Sequence, residues 1–213
     1  MKISPTLTEV KEIAKTGKYD ILPVSCEILS DFITPIEAMR ILRNVSTHCY
    51  LLESAQANEA WGRYTFLGYD PKLEINCIDG HMKLGKLSVE TENPSEYIRQ
   101  ILSEYKSPKF DYLPSFTGGL VGYFSYDYLG YKEKSIRGKA RDTEDFKDVD
   151  LMLFDKVIAF DNLCQKIILI ANMSLDAPET GYNKAIVELK QLRELLMHGE
   201  KKQNMGGKLL GEV

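Results

Sequence analysis

The segment around Asp79 and Gly80 constrains the fold more than any other part of the sequence. Apolar and polar residues alternate from Lys72 to Ile78, and a second short segment, Met82 to Lys86, follows the Asp-Gly pair. Such a pair between two segments of this kind is typical of a type I′ turn, because aspartate and glycine tolerate a positive φ. The sequence therefore predicts an antiparallel hairpin here.

Other apolar segments also have the length and bounds of strands, and few helical segments separate them. We predict strands over residues 21–29, 49–53, 64–67, 120–125, 151–160 and 166–173, with a second hairpin at Asp161-Asn162. Parallel strands need long crossover connections, usually helices, and the sequence lacks a regular series of them. The fold class is therefore predicted as α+β, a mainly antiparallel β-sheet with flanking helices.

Four helices are predicted from capping signals and apolar periodicity. The pairs Thr6/Glu9 and Thr34/Glu37 have the spacing of capping boxes and begin the first two helices. A third helix over 93–105 is expected to direct Tyr97, Ile98, Ile101 and Leu102 inward, and a fourth runs from about 176 to 199. The chain of 213 residues is thus read as one domain, 1–199, followed by a linker or tail, 200–213.

Composition excludes several classes of protein. The 27 basic and 31 acidic residues give a net charge of −4, so no polycationic surface is available for a phosphate backbone or an anionic membrane. The longest wholly apolar stretch, 167–171, is far below the roughly 18 residues of a membrane span. Because residues 1–18 lack the apolar core of a secretory signal, we predict a cytoplasmic protein.

The cysteines and histidines are scattered and do not have the spacing of a metal site. No Cys-x-x-Cys pair or helical histidine pair occurs among them, and we expect buried free thiols and no metal site in this chain. The residues concerned are Cys26, Cys49, Cys77, Cys164, His48, His81 and His198.

Two neighbouring segments carry the best candidate for a binding site. Glu53 and Ser54 follow an apolar strand, where a carboxylate and a hydroxyl could hold an α-amino group. Arg63 and Tyr64 follow a polar connection, and a guanidinium beside an aromatic ring suits a carboxylate or an aromatic ligand. The alternatives are an exposed strand end whose serine caps a turn, and a surface arginine packed on a ring.

The glycine-rich segment 117–123 and the acidic residues give weaker evidence of a functional site. A phosphate loop needs glycines that end at a helix N-terminus, whereas these glycines run into Val121 and Tyr123, which are typical of a strand. A bulge or a close approach of two backbones is therefore favoured. No paired carboxylates or serine nucleophile motif can be identified, so the residues alone indicate an α+β domain without assigned chemistry.

Four segments, in this order, resemble the N-terminal half of anthranilate synthase component I. They are Asp31-Phe32-Ile33-Thr34-Pro35-Ile36, with Pro23 before it; Leu51-Leu52-Glu53-Ser54; Gly62-Arg63-Tyr64-Thr65-Phe66-Leu67-Gly68; and Gly118-Gly119-Leu120-Val121-Gly122-Tyr123-Phe124-Ser125-Tyr126-Asp127. Members of this family convert chorismate and ammonia, which is derived from glutamine, to anthranilate and pyruvate in tryptophan biosynthesis. The fold implied is the N-terminal part of that enzyme.

The resemblance also implies partners and a missing portion. In the family a C-terminal chorismate-binding domain follows, with the catalytic residues and the Mg²⁺ ligands, and no segment here matches its motifs. The resemblance therefore implies no catalytic residue and no cofactor in this chain, although the full-length enzyme would need Mg²⁺. The implied partners are that C-terminal domain and a glutaminase subunit, component II.

The resemblance gives the "LLES" segment a role in feedback inhibition by L-tryptophan. Carried over, Glu53 and Ser54 would receive the ligand's ammonium group, Leu52 would form part of the pocket wall, and Arg63 and Tyr64 would lie near it. Two alternatives stay open: aminodeoxychorismate synthase component I of folate synthesis, whose members more often have Asp-Ser in place of Glu53-Ser54, and a stand-alone domain that binds an amino acid or a partner chain.

Overall fold

The strands pair into two antiparallel sheets, each with helices or loops packed against it. The computed structural model describes residues 2–53, 62–133, 135 and 146–200. In these ranges the helices are α1 (Leu7–Lys15), α2 (Pro35–Val45), α3 (Pro94–Ser103) and α4 (Pro178–His198), with a 3-10 helix over Tyr126–Tyr131. The strands are β1 (Ile3–Ser4), β2 (Ile21–Leu29), β3 (Cys49–Leu52), β4 (Tyr64–Tyr69), β5 (Leu73–Ile78), β6 (His81–Leu84), β7 (Leu87–Glu90), β8 (Gly119–Phe124), β9 (Val149–Phe154), β10 (Lys156–Asp161) and β11 (Lys166–Ser174).

The first sheet has six strands in the order β1-β2-β11-β10-β4-β3 and is covered on both faces. Helices α1, α2 and α4 pack on one face, where alternate residues of β2 and β11 form the main core with Leu189 and Leu192 of α4. A smaller core on the opposite face contains Val157, Ile168 and aromatic side chains of β4 and the 107–117 segment. The central strand β11 is therefore buried on both sides, which explains its continuous apolar run.

The second sheet has five strands in the order β7-β6-β5-β9-β8. Its core lies between the sheet and α3, and Ile75, Cys77, Met82 and Ile98 are buried there. The two sheets are joined directly in sequence, because only Asp155 separates β9 in the second sheet from β10 in the first. The segments that carry the candidate site, β3 and β4, form one edge of the first sheet.

The α+β, antiparallel fold class is confirmed, as are both hairpins. Asp79 and Gly80 have positive φ angles of 49° and 87°, as a type I′ turn requires. Both capping boxes are formed: Thr6 with Glu9 at α1 and Thr34 with Glu37 at α2. Most of the predicted tail, residues 201–213, lies outside the described residues.

Two sequence-based expectations about individual elements are wrong. Residues 151–160 do not form one strand, because the chain changes sheets at Asp155 and so forms the ends of β9 and β10. Leu102 is not on the inner face of α3, since 44% of its surface is exposed. An apolar run shows where backbone is extended, but it does not show which sheet each half joins.

The glycine-rich segment is a strand with a close backbone contact, as expected, and does not end at a helix N-terminus. A Cβ at Gly122 would collide with the carbonyl oxygen of Asp150 in the neighbouring strand β9, and the φ of Gly122 is +154°. Glycine at this position therefore lets β8 approach β9 closely. None of the helices in the described ranges is both long enough and apolar enough to cross a membrane.

Candidate functional site

Leu52 and Tyr64 lie on the same face of the first sheet, next to an aromatic cluster. Leu52 in β3 is directly opposite Phe66 in β4, and Tyr64 is two residues from Phe66 on the same strand, so the three side chains share a face. The Tyr64 and Phe66 rings are 5.8 Å apart, and Phe66 packs edge-on against Phe116 at 5.6 Å. Leu52 is 46% exposed, so this apolar surface reaches solvent at the edge of the sheet.

The two polar residues expected to hold an ammonium group, Glu53 and Ser54, follow β3 in the sequence. Glu53 follows the last strand residue, Leu52, and its side chain is exposed. Ser54 lies outside the described residues. The pairing of Glu53 with Ser54 therefore stays a prediction.

Arg63 is held by an ion pair that the sequence did not reveal. Its Nε donates to Asp161 Oδ1 at 3.1 Å and its Nη2 donates to Asp161 Oδ2 at 2.7 Å. This is the bidentate geometry typical of a guanidinium and a carboxylate. The guanidinium carbon also lies 4.9 Å from the centre of the Tyr64 ring. The pair is formed because the antiparallel register places Asp161 at the end of β10 opposite Tyr64 at the start of β4.

Asp161 is the buried centre of this arrangement. Its side chain is wholly buried, and Oδ1 also accepts hydrogen bonds from the backbone amides of Leu163 and Cys164 at 3.2 and 3.0 Å. Burial by itself would raise the pKa of the carboxyl group, but the hydrogen bonds from Arg63 and the Cys164 amide outweigh it and lower the pKa to about 2. Asp161 is therefore ionised at neutral pH and ties the β10–β11 loop to the start of β4.

Cys164 corrects the expectation that the cysteines are buried. Cys26 and Cys77 are buried and Cys49 is partly buried, but Cys164 is exposed. Its sulfur lies 3.6 Å from Arg63 Nη2. The sequence offered one usable signal for this loop, the Asp161-Asn162 turn, but nothing in it indicated that the aspartate would be paired with a residue about a hundred positions earlier.

Tyr50 is a second buried polar residue near this edge of the sheet. Its ring lies against Gly68 of the neighbouring strand, where a Cβ would collide with it, and packs edge-on against Phe154 at 4.7 Å. Its hydroxyl is buried and has no hydrogen-bond partner in the part of the chain that the structure describes. Burial raises the pKa of Tyr50 well above its usual range, so the hydroxyl stays protonated and keeps an unused donor.

The described residues contain no cluster of metal ligands. Across residues 2–53, 62–133, 135 and 146–200, no three His, Cys, Asp or Glu side chains are grouped closely enough to hold one.

No family model matches the sequence, but comparison with curated proteins finds relatives. The chain is 34% identical over 198 residues to anthranilate synthase component 1 of Acetivibrio thermocellus, covering 90% of this chain and 39% of the relative. It is 36% identical over 196 residues to the protein of the same name from Pseudomonas aeruginosa, covering 88% of this chain and 39% of the relative. The chain thus spans about two fifths of the length of these curated relatives.

A solved structure resembles the fold as well. The crystal structure of anthranilate synthase component I from Streptococcus pneumoniae matches with a TM-score of 0.50 and 25% sequence identity. The match covers 78% of this chain and 36% of that one. Sequence and structure comparisons therefore agree on both the kind of protein and the partial coverage.

Proposed function

We propose, on the premise that this chain is homologous to a part of anthranilate synthase component 1, that it supplies one half of a regulatory tryptophan site. In this proposal the whole enzyme makes anthranilate and pyruvate from chorismate and ammonia, the ammonia coming from a glutaminase subunit. This chain contributes the half of the site formed by Leu52, Glu53, Ser54 and Tyr64. The other half comes from the part of such an enzyme that lies outside the matched 39% of the relatives.

The observation that carries the proposal is the shared face of Leu52 and Tyr64. An indole ring is large, flat and mostly apolar, and a partly exposed leucine beside an aromatic cluster gives it a surface to pack on. Glu53 follows Leu52 directly and is exposed, so its carboxylate can reach an ammonium group at the rim of that surface. A site that is apolar on one side and acidic at its rim suits an aromatic amino acid.

In this proposal Arg63 positions the Tyr64 ring, and only part of its guanidinium is available to the ligand. Its Nε and Nη2 each donate to Asp161, so a ligand carboxylate could approach only from the Nη1 side of the guanidinium. Because its guanidinium lies over the Tyr64 ring, Arg63 instead fixes the orientation of that ring. The ion pair with Asp161 thus keeps the aromatic side of the site in place.

Inhibition follows from a ligand held between two parts of one enzyme. A ligand that contacts both parts stabilises the relative arrangement of the two parts in which both sets of contacts are made. It changes activity only to the extent that its affinities for the two arrangements differ. Half of the site should therefore bind tryptophan weakly when the other half is absent.

Calorimetry with L-tryptophan tests the proposal. The comparison is between this chain alone and a hybrid in which this chain replaces the matched part of the Acetivibrio thermocellus relative. We expect at least about tenfold weaker binding to the chain alone, a loss of more than ~1.4 kcal/mol. In the hybrid, Glu53→Gln should weaken binding by about tenfold or more, while Asp31→Asn, a change at another exposed acid, should not. Equal binding by the chain alone and the hybrid would refute the shared site.

A further inference from the structure

A cavity of about 310 Å³ lies beside β1, at the opposite edge of the first sheet from the candidate site on β3 and β4. Its walls come from three parts of the chain: the helix α1, the 107–117 segment, and Ser4 of β1 with the adjacent Pro5. A cavity of this size holds a small molecule or one large side chain of a partner. The chemistry of the walls indicates which kind of group fits it.

One wall of the cavity is acidic. Glu9 and Glu12 are three residues apart in α1, so their side chains lie on one face of the helix. Oε2 of Glu9 accepts hydrogen bonds from the amide and the hydroxyl of Thr6, both at 2.7 Å, whereas Glu12 has no hydrogen bond or ion pair with any described residue. Two carboxylates at this spacing repel each other, so a cation placed against both would remove an unfavourable interaction.

Another wall of the cavity is aromatic. The rings of Phe110 and Tyr112 are stacked, with their centres 5.1 Å apart and their planes at 24°, and Tyr112 is 45% exposed. Burial, and next the negative charge of Glu9, raise the pKa of Tyr112 to about 12, so the carboxylate and this ring influence each other across the cavity. The face of an aromatic ring attracts a cation, as the carboxylates do. Both walls therefore favour a positively charged group.

We propose that this cavity binds a guanidinium group on an aliphatic chain, as in arginine. A guanidinium is planar, so it can stack on an aromatic ring while its N–H groups donate to a carboxylate at its edge. An ammonium group is a compact and more strongly hydrated charge, so it gains less from the stacked rings. Ile13 and Pro5 supply an apolar part of the wall, which suits the methylene groups of the chain.

Titration of the full chain, followed by the NMR signals of the Phe110 and Tyr112 rings, tests the proposal. The probe is N-acetyl-L-argininamide, and the matched control is N-acetyl-L-lysinamide, which carries the same charge as an ammonium. We expect saturable shifts of both rings and at least about tenfold tighter binding of the arginine compound. Free L-arginine then distinguishes the two sources of a guanidinium. Tighter binding of the free amino acid than of the capped compound assigns a small molecule, and the reverse order assigns an arginine side chain of another polypeptide.

Substitutions in each wall separate the two contributions. Glu12→Gln should weaken binding of the arginine compound by at least about fivefold, because it removes a charge and leaves the capping box of Thr6 and Glu9 intact. Tyr112→Leu should weaken it similarly, whereas Tyr112→Phe, which keeps a ring, should stay within about twofold of the native chain. Glu104→Gln, at an exposed acid that does not line the cavity, should leave the affinity unchanged. If Tyr112→Leu disturbs the 107–117 segment, Glu12→Gln still decides the outcome.

Three results would overturn the guanidinium site. The first is a set of ring shifts that never saturates with the arginine compound. The second is equal binding of the lysine compound, which would mean that the acidic surface attracts any cation. The third is an equal loss of affinity in Glu104→Gln and Glu12→Gln. The cavity and the proposed tryptophan site lie at opposite edges of the first sheet, so each proposal can fail without the other.

Discussion

At the scale of single residues, the buried carboxylate of Asp161 links stability to pH. Its pKa is about 2 in the folded chain, below the value of an unpaired aspartate, so it stabilises the fold when ionised. This stabilisation is complete above about pH 4 to 5 and is lost as the pH falls through the range from about 4 to 2. Since one pKa unit corresponds to about 1.4 kcal/mol, it amounts to about 2 kcal/mol.

Urea unfolding of the native chain and of Asp161→Asn at several pH values measures this contribution. We expect the native chain to be more stable by about 2 kcal/mol at pH 6, with the difference shrinking toward pH 3. In the asparagine variant the side chain at position 161 cannot ionise. The pH dependence of its free energy of unfolding therefore comes from all the other titratable groups. A difference that stays constant between pH 6 and pH 3 would show that the pKa of Asp161 is not depressed.

Tyr50 gives a prediction of the opposite sign. Its buried hydroxyl lacks a partner in the described residues, and a buried unsatisfied polar group costs about 1 to 3 kcal/mol. Tyr50→Phe should therefore raise the free energy of unfolding by about 1 kcal/mol. Tyr182→Phe is the matched control, because the Tyr182 hydroxyl donates to the carbonyl of Pro5 at 3.0 Å and its removal should destabilise the chain. Destabilisation by both changes would mean that Tyr50 has a partner after all.

Residue by residue, the candidate site could be predicted only in part. The strands that carry Leu52 and Tyr64 follow from local apolar patterns, but their place together at one edge of the first sheet is set by the strand order. The pairing of Arg63 with Asp161 could not be foreseen, because it depends on the register between strands that are far apart in sequence. The same holds for Tyr50, whose surroundings include Gly68 and Phe154 from two different sheets.

At the scale of elements, the β5–β6 hairpin depends on the backbone conformation of its turn. Gly80 has a φ of 87°, and its amide donates to the hydroxyl of Tyr131 at 2.6 Å. A Cβ in such a conformation costs about 1 to 2 kcal/mol, so Gly80→Ala should destabilise the chain by that amount. Asp79→Asn should change stability by less than about 0.5 kcal/mol, since asparagine also tolerates a positive φ.

Thermal or urea unfolding of the two variants separates the conformational effect from a general sensitivity of the turn. Equal losses for Gly80→Ala and Asp79→Asn would contradict the role given to the positive φ of Gly80. The turn illustrates which elements the sequence reveals well. Both hairpin turns and both capping boxes are local patterns, whereas the change of sheet at Asp155 is set by tertiary packing and leaves no local signal.

At the scale of the whole molecule, the two sheets form a continuous structure. Strands β9 and β10 are separated by one residue, and β11 contributes to cores on both faces of the first sheet. The side chain of Asn172 in β11 also donates to the carbonyls of Thr117 and Asp155, at 2.6 and 3.0 Å, and so ties β11 to the residues that precede β8 and β10. Loss of packing on one face should therefore lower the stability of both sheets together.

Leu189→Ala in α4 tests this cooperativity. Leu189 is fully buried in the main core, and removing such a side chain costs about 2 to 5 kcal/mol through lost burial and the cavity left behind. We expect the urea unfolding transitions measured by far-ultraviolet and by near-ultraviolet circular dichroism to shift to the same lower midpoint. The near-ultraviolet signal comes largely from tyrosines, including Tyr128 and Tyr131 beside the core of the second sheet, which α4 does not cover.

Val187→Ala, at an exposed position of the same helix, should change stability by less than about 0.5 kcal/mol. If the near-ultraviolet signal kept its original midpoint while the far-ultraviolet signal moved, the two sheets would be unfolding independently.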